Sequence, residues 1–292
     1  MRKRSFPLAV LKGFGVLAIA AWSILPIALI VLSSFKADRD IFAPGARFSF
    51  MPTLANYALL WSRWGDFFHG LWNSFLVTLG ATLLAVLVSL LAGFAYSRHA
   101  GRGLQASAFF LIFVRLFPPI VITLPLFPVV NWLKLNDTHL ILILLYATFF
   151  VSLGTIVMRT FIDQIPRELD EAAMIDGASQ FQIIARVIFP LAAQGMLAVA
   201  VFVIVYAWNE FLFAFIFTTT RAKTAPLVVA EMIGAVEGVE WGVLFAASAI
   251  QLLPVLAFVI LMQKHLVAGL TAGAGHRDGA RGRPPRWPPR RR

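Results

Sequence analysis

Charged and hydrogen-bonding residues inside apolar segments are the features of this 292-residue sequence that could do chemistry. Glu210 lies within one apolar segment beside Trp208 and Asn209, and Arg115 lies near the start of another. Charges at such positions usually face a bundle interior or a water-filled path, so these four residues are candidates for lining a path through a membrane. Arg115 has an alternative, because a long basic side chain near the end of a segment can extend to the membrane interface.

Catalytic chemistry of the common kinds finds little support. The chain has no Cys, which excludes a disulfide framework, thiol nucleophiles and Cys-ligated metal sites. Its five His residues are scattered without metal-ligand spacing. Arg115 and Glu210 have no His or Asp near them within the apolar segments, and the pair alone makes a poor active site. The sequence therefore predicts no catalytic residue, no metal site and a protein that is not an enzyme.

The composition indicates which elements must hold these residues. Hydrophobic residues make up 60% of the chain, charged residues 13%, and the mean hydropathy is +0.82. Soluble domains have roughly 45–50% apolar and about 25% charged residues, so this chain is a membrane protein. One bilayer crossing takes about 20 apolar residues of helix. The sequence predicts an all-α polytopic fold with six transmembrane helices, at about residues 14–35, 71–97, 106–133, 139–158, 192–219 and 241–263.

Prolines distinguish the third segment from the others. Each proline lacks a backbone N–H and bends or breaks a helix, so this segment holds either a packed kink or a functional break. The prolines are Pro118, Pro119, Pro125 and Pro128.

The basic residues give the expected orientation. Lys and Arg are more frequent on the side that carries both chain ends, which places the N- and C-termini in the cytoplasm. The net charge of +11 does not point to nucleic acid, because residues 277–292 alone contain seven Arg and one Asp. This tail has no core-forming composition and is predicted to be disordered from about residue 275. It either contacts anionic lipid or has no essential role.

The loop between the fourth and fifth segments, here called loop 159–190, is polar but has the sequence of helices. Pro166 suits a first helical turn, with three acidic residues after it at the positive end of the helix dipole. Gly177 favours a left-handed stop, and Ser179 with Gln182 forms a capping-box pattern. The loop is therefore predicted to be a helix, a glycine turn and a second helix.

The first of these helices has a face of small and apolar groups, formed by Leu169, Ala172, Ala173 and Asp176. An amphipathic helix lying on lipid is one interpretation, but such helices carry Lys and Arg on their polar side. Here the polar side is acidic. The sequence favours a protein partner with basic groups on its surface.

The run Glu171-Ala172-Ala173, with Gly177 and Pro190 at fixed distances after it, resembles the EAA motif of binding-protein-dependent ABC transporter permeases. The family pattern is EAA-x3-G-x9-I-x-L-P. The two apolar positions before the proline are occupied here by Val187 and Phe189.

Most of the chain is similar to one branch of this family, the carbohydrate-uptake permeases of the maltose type, in particular the smaller subunit. The motifs that carry this similarity are Pro52-Thr53-Leu54-Ala55-Asn56-Tyr57, Asn73-Ser74, Phe94-Ala95-Tyr96-Ser97-Arg98, Arg115-Leu116-Phe117-Pro118-Pro119, Asp137-Thr138, Ala207-Trp208-Asn209-Glu210-Phe211 and Gly269-Leu270-Thr271-Ala272-Gly273. The resemblance implies the type-1 ABC importer permease fold in the cell membrane. The branch normally ends soon after the last of these motifs, whereas this chain continues.

The resemblance also implies roles and partners. Glu171 would pair with a basic group on an ATPase subunit, Ala172 and Ala173 would keep that contact close, Gly177 would make the turn, and Pro190 would set re-entry into the fifth segment. No G-x-x-x-x-G-K-[ST] loop occurs in the chain, so two partner ATP-binding cassette subunits would bind ATP and Mg²⁺. The other implied partners are a second permease subunit, forming a heterodimer, and an extracytoplasmic solute-binding protein.

The resemblance implies transport of a sugar. Aromatic faces and hydrogen-bonding groups bind sugars, which fits Trp208, Asn209 and Glu210 as path-lining residues. A permease for glycerol phosphate or another polyol is the alternative within the family. A stand-alone secondary transporter is an alternative of another class, but the chain lacks a visible internal repeat and coupling-ion ligands within its segments.

Three regions are expected along the chain. Residues 1–70 form an N-terminal span with an outer loop, and residues 71–264 form the core permease domain with loop 159–190. Residues 265–292 form the C-terminal tail. Trp61 and Trp64 in the outer loop are typical of membrane-interface anchors, with recognition of a partner as the alternative.

Overall fold

A computed structural model describes residues 6–43, 50–235 and 238–274, and in this part of the chain all regular structure is helical. The tail that is predicted to be disordered lies outside the described residues. The helices, in chain order, are α1 Phe6–Ser34, α2 Asp38–Ile41, α3 Ala55–Arg63, α4 Asp66–Arg98, α5 Arg102–Val114, α6 Pro119–Trp132, α7 His139–Ile162, α8 Glu168–Ile175, α9 Gln180–Ile183, a π-helical segment Ile184–Ile188, α10 Phe189–Leu191, α11 Ala193–Trp208, α12 Leu212–Phe217, α13 Ala225–Ile233 and α14 Trp241–Ala274.

Four of these helices are long and apolar enough to cross a membrane: α1, α4, α7 and α14. They correspond to the first, second, fourth and sixth predicted segments. Two further pairs of helices meet the same test only if each bent pair counts as one span, which would bring the number to six. The all-α prediction is confirmed, and the described residues contain between four and six candidate spans.

The third predicted segment is not one straight helix. The structure divides it into α5 and α6, which differ in direction by 101° across the break between Val114 and Pro119. Pro118 and Pro119 explain the position of the break, because they lie at the N-cap and the first position of α6, where the missing backbone N–H of a proline leaves no helical bond unmade. The proline-rich segment is therefore broken and not merely kinked.

The fifth predicted segment, at about residues 192–219, is also divided in the structure. Helix α11 ends at Trp208, and the short helix α12 begins only at Leu212. Another change of direction, of 76°, separates Gln180–Leu191 from α11. The break between α11 and α12 contains Asn209 and Glu210. Their side chains bond to nearby backbone groups and stabilise the helix ends.

The described residues divide into two compact units. One unit comprises the chain up to Phe75 together with Thr218–Val255. Its core is formed by buried residues of α3, the start of α4, α13 and the start of α14, namely Leu60, Phe67, Ala225, Val228, Met232, Val243, Leu244, Ala246 and Ala247.

The other unit comprises Leu76–Phe217 together with the chain from Leu256 onward. Its core lies where α4, α7 and α11 pack. Gly154 of α7 is central to this packing, because any side chain there would overlap Ser89 of α4 and press on Val199 of α11. Small residues let membrane helices approach closely, and this unit uses that principle where three helices meet.

Candidate functional site

Loop 159–190 has the helix, glycine turn and helix that the sequence predicts. Helix α8 spans Glu168–Ile175, and Gly177 follows it with φ of +82°. The N–H of Ala178 donates to the carbonyl of Ala173, and that of Gly177 donates to Met174. This pair of bonds is a Schellman motif, which closes a helix with a left-handed residue. Gly177 is therefore required by backbone geometry, because left-handed backbone strains residues with a Cβ.

The second helix of the loop begins with the predicted capping box. The Ser179 hydroxyl accepts from the N–H of Gln182, and the Gln182 side chain accepts from the N–H of Ser179. Helix α9 continues through the π-helical segment into α10, which holds Pro190, and the chain then turns by 76° into α11. Pro190 thus lies directly before the change of direction at which the chain enters α11.

The exposed surface of α8 contains the residues that the sequence selects for docking. Glu171 and Ala172 are exposed, Ala173 is half-buried, and Gly177 is exposed. A hollow of about 320 Å³ lies beside them, lined by Ala173, Asp176, Gly177, Ala178, Gln182, Ile183, Arg186 and Val187. The arrangement offers small side chains and a carboxylate around a concave surface, which suits the close approach of another protein.

Apolar residues next to this hollow are exposed to a degree that the sequence analysis missed. Ile175 is 87% exposed, Phe181 is 75% exposed, and Met174 is about half exposed. Exposed apolar groups that cluster on a polar loop mark an interaction surface. The sequence does contain a signal for this exposure, because Met174 and Ile175 come shortly before Gly177 and Phe181 comes shortly after it, all within a polar loop.

The opposite side of α8 is bound to the rest of its unit by a buried ion pair, also missed in the sequence. Arg98, the last residue of α4, donates through Nε to Oδ2 of Asp170 at 2.5 Å. Both side chains are only 8% exposed. Arg167 adds a bond from Nη2 to the carbonyl of Ser97 at 2.8 Å. Arg98 and Asp170 lie 72 residues apart in the chain, so no local pattern could have revealed this ion pair.

The four path candidates differ in how the structure uses them. Trp208 is 5% exposed and belongs to the core of its unit. Glu210 accepts from the N–H of Phe213 at 2.9 Å and from that of Ala214 at 3.4 Å, so its carboxylate caps the start of α12. Asn209 is exposed, and its amide donates to the carbonyl of Val205 at 2.7 Å.

Arg115 lies in the break between α5 and α6, where it is exposed. Its guanidinium is 5.6 Å from the ring centroid of Phe149 on α7, within the range of a cation–π contact. Arg115 and Asn209 therefore have the exposure that a path-lining residue requires in this chain. Both lie at helix breaks, where backbone polar groups also become available.

An aromatic pair on α11 extends the exposed surface that includes Asn209. The rings of Phe202 and Tyr206 stack at 5.5 Å with 20° between their planes, and each side chain is about half exposed. Residues 202, 206 and 209 follow the helical spacing of one face. The sequence analysis did not select Tyr206, although its helical position relative to Asn209 was available.

No group of three His, Cys, Asp or Glu side chains that could hold a metal ion occurs in the described part of the chain.

Comparison with known proteins decides the family. The model of the family described as "Binding-protein-dependent transport system inner membrane component" matches residues 85–272. The chain belongs to this family. The matched range includes all of loop 159–190 and the four path candidates, so the resemblance seen in the sequence is confirmed.

Two of the relatives of this transport-system component have names that include trehalose. The trehalose/maltose transport system permease protein MalG of Thermococcus litoralis is 33% identical over 91% of this chain and 96% of its own length. The trehalose transport system permease protein SugB of Mycobacterium tuberculosis is 34% identical over 88% of this chain and 93% of its own length. The similarity thus extends over nearly the whole length of both relatives.

A solved structure supports the fold of this transport-system component. A chain in the crystal structure of a bacterial ABC transporter involved in the import of the acidic polysaccharide alginate matches with a TM-score of 0.75. The match covers 90% of this chain and 98% of the other at 21% identity. At that identity the likeness concerns the fold alone.

The family motif Asn73-Ser74, outside loop 159–190, helps to hold the first unit of this transport-system component together. The Asn73 amide donates to the carbonyls of Arg221 and Lys223, each at 2.9 Å. Ser74 accepts from the N–H of Ala225 at 2.9 Å. These bonds fasten the segment before α13 to the start of α4, so this motif has a structural role.

Proposed function

We propose that this chain is one of two membrane-spanning subunits of an ATP-driven importer that takes up a sugar from an extracytoplasmic binding protein. The observation that carries the proposal is the geometry of loop 159–190. One side of α8 is bound to its own unit through buried Asp170, and the other side presents Glu171 and Ala172 to an incoming partner. A segment built in this way is suited to receive force on one side and pass it on from the other.

The partner that fits this surface is an ATP-binding cassette subunit. Glu171 would pair with a basic side chain on it, and Ala172 with Ala173 would allow close approach. The exposed side chains of Ile175 and Phe181 would be buried in the contact. ATP and Mg²⁺ would be held by two such subunits, one docked here and one on the equivalent loop of a second permease. Closure of the ATPase pair would then press the two docked loops together.

The solute would pass along the exposed face of α11 that holds Tyr206 and Asn209, and past Arg115 at the break between α5 and α6. The Asn209 carboxamide and the Arg115 guanidinium supply hydrogen-bonding groups, and Tyr206 with Phe202 supplies an aromatic face. A Tyr hydroxyl and an Asn amide are costly against lipid, which favours a wet surface shared with the second permease. Trp208 and Glu210 would shape this face from behind. Of the four path candidates, Arg115 and Asn209 would therefore contact the solute.

A disaccharide is the solute that the relatives support, since the names of two of them include trehalose or maltose. Glycerol phosphate and other polyols remain the competing solutes to test. The binding protein would deliver the solute on the side of the outer loops, and both termini would lie in the cytoplasm. Because the chain has no Cys, a single cysteine introduced near either end would report that orientation by its reaction with a membrane-impermeant maleimide.

Reconstitution tests the proposed function. The complex that copurifies with the tagged chain is placed in proteoliposomes with ATP inside, and uptake of labelled maltose and trehalose is measured with and without the binding protein outside. We expect uptake that needs both ATP and the binding protein and that unlabelled disaccharide suppresses more strongly than glycerol 3-phosphate. Uptake by this chain alone, without ATP, would contradict the proposal and favour a secondary transporter.

A further inference from the structure

We propose that Arg98 and Asp170 act as a clamp that makes α8 move as one body with the C-terminal ends of α4 and α7, so that motion of the docked loop enters these helices through the bonds of this buried pair. The inference rests on the proposed function, because it assigns the route by which a docked ATPase would move the membrane helices. Arg98 and Asp170 are then positioning residues for transport, and neither contacts ATP or the solute.

The guanidinium of Arg98 holds three elements at once. Its Nε donates to Asp170 of α8, and its Nη2 donates to the carbonyl of Ile165 at 3.0 Å in the turn before α8. Its Nη1 donates to the carbonyl of Ile162, the last residue of α7, at 3.4 Å. Arg98 itself ends α4. The planar fork of an arginine can make these bonds together, which the single ammonium of a lysine cannot reproduce.

A further hydrogen bond joins the start of α8 to the end of α4, with the donor arginine on the α8 side. Arg167, which precedes α8, donates to the carbonyl of Ser97, the residue before Arg98. Two consecutive residues of α4 are therefore bound to two positions at the start of α8. A force on Glu171 acts one residue away from Asp170, so the loop cannot shift without displacing the end of α4 or breaking these bonds.

Burial makes this contact different from the other ion pairs near the loop. Arg159 and Asp163 are 3.6 Å apart on the surface of α7 and are about half exposed, so water and salt weaken their attraction. Arg98 and Asp170 are shielded from water, and removing either one leaves an uncompensated buried charge. Oδ1 of Asp170 has no hydrogen-bond partner among the described residues, so the carboxylate depends on Arg98.

The test uses the whole complex in proteoliposomes and compares Asp170→Asn with the surface control Asp163→Asn. Three quantities are measured: recovery of the ATPase with the tagged chain, ATP hydrolysis, and sugar taken up per ATP hydrolysed. For Asp170→Asn we expect the ATPase to be recovered and ATP to be hydrolysed, with roughly tenfold less uptake per ATP, because the charge that holds Arg98 is lost. Asp163→Asn should match the wild type in all three.

Arg98→Lys provides a second variant that keeps the positive charge opposite Asp170 and so tolerates burial better. It should also lower uptake per ATP, but less than Asp170→Asn, because the bonds to Ile162 and Ile165 are not all restored. Unchanged uptake per ATP in both variants would overturn the clamp. Loss of the ATPase from Asp170→Asn would overturn it as well, since the pair would then serve docking and not transmission. If the wild type recovers no ATPase, the proposed function fails, and the clamp fails with it.

Discussion

Loop 159–190 and the break at residues 209–211 both interrupt helices of the same unit, and the sequence analysis selected one glutamate in each, but the structure uses Glu171 and Glu210 in opposite ways. Glu171 lies exposed on α8, beside a concave surface with exposed apolar neighbours. Glu210 turns toward its own chain and accepts two backbone N–H groups at the start of α12. Glu171 is thus left available to a partner, while Glu210 serves the local backbone.

The physical reason for the difference is the cost of unpaired backbone groups. Three residues of helix α12 are buried, and an unpaired N–H in such surroundings is costly, so a nearby carboxylate stabilises the fold by accepting from the N–H groups of Phe213 and Ala214. In loop 159–190 the turn at Gly177 closes the end of α8, and the capping box closes the start of α9. Glu171 takes part in neither, and its side chain is exposed.

The largest effect is expected from reversing the charge at Glu171. Glu171→Lys should lower ATP-driven uptake by about a hundredfold or more, because like charges juxtaposed at an interface cost several kcal/mol. The protein should still reach the membrane, since the side chain is exposed. Uptake is measured together with recovery of the ATPase, and Asp163→Lys serves as the control for an exposed acid outside α8. Wild-type uptake by Glu171→Lys would remove the role assigned to this residue.

A smaller loss is expected when Gly177 gains a side chain. Gly177→Ala forces a left-handed residue with a Cβ, which costs about 1–2 kcal/mol and should lower uptake several-fold. Gly103→Ala is the matched control, because a Cβ there meets open space on a regular helix. Equal uptake by both variants would show that docking tolerates a distorted turn.

Glu210 should affect stability more than transport. Glu210→Ala removes the cap of α12 and should lower the free energy of unfolding by about 1 kcal/mol, measured as earlier thermal unfolding of the solubilised protein. Glu210→Gln keeps one acceptor oxygen and should lie between the wild type and Glu210→Ala. A changed preference among sugars in Glu210→Gln, at unchanged stability, would instead place this side chain in contact with the solute and weaken the contrast between the two glutamates.

The smallest effect is expected from the C-terminal tail. Deleting residues 276–292 should leave uptake and membrane insertion unchanged, because the tail has no core-forming composition and lies beyond the family match. The readouts are uptake and the amount of protein in the membrane fraction. A truncated protein that inserts normally but fails to transport would assign the tail a role.

The helix, glycine turn and second helix of loop 159–190 could be predicted from sequence alone because their signals are local. Gly177 and the pair Ser179 and Gln182 act within a few residues, and the structure places each of them as predicted. Pro166 is a partial exception, since α8 begins two residues after it. Long apolar runs predicted α1, α4, α7 and α14 for the same reason.

The features that the sequence did not predict depend on contacts between distant parts of the chain. The bond between Arg98 and Asp170 joins residues whose neighbours in sequence say nothing about each other. Whether Trp208 is buried and Tyr206 exposed depends on how α11 packs against α7, and hydrophobicity does not distinguish the two. The break after Trp208 contains the polar residues Asn209 and Glu210, but the apolar residues on both sides of it are typical of one membrane segment.

The most direct test of the account is to purify the tagged chain from gently solubilised membranes, with and without Gly177→Pro, and to identify what comes with it by mass spectrometry. The account predicts that the wild type brings a second permease and a protein with a G-x-x-x-x-G-K-[ST] loop. It predicts that the variant keeps the permease and loses the ATPase. If the wild-type chain is recovered alone or only with itself, the assignment of loop 159–190 as an ATPase dock is contradicted.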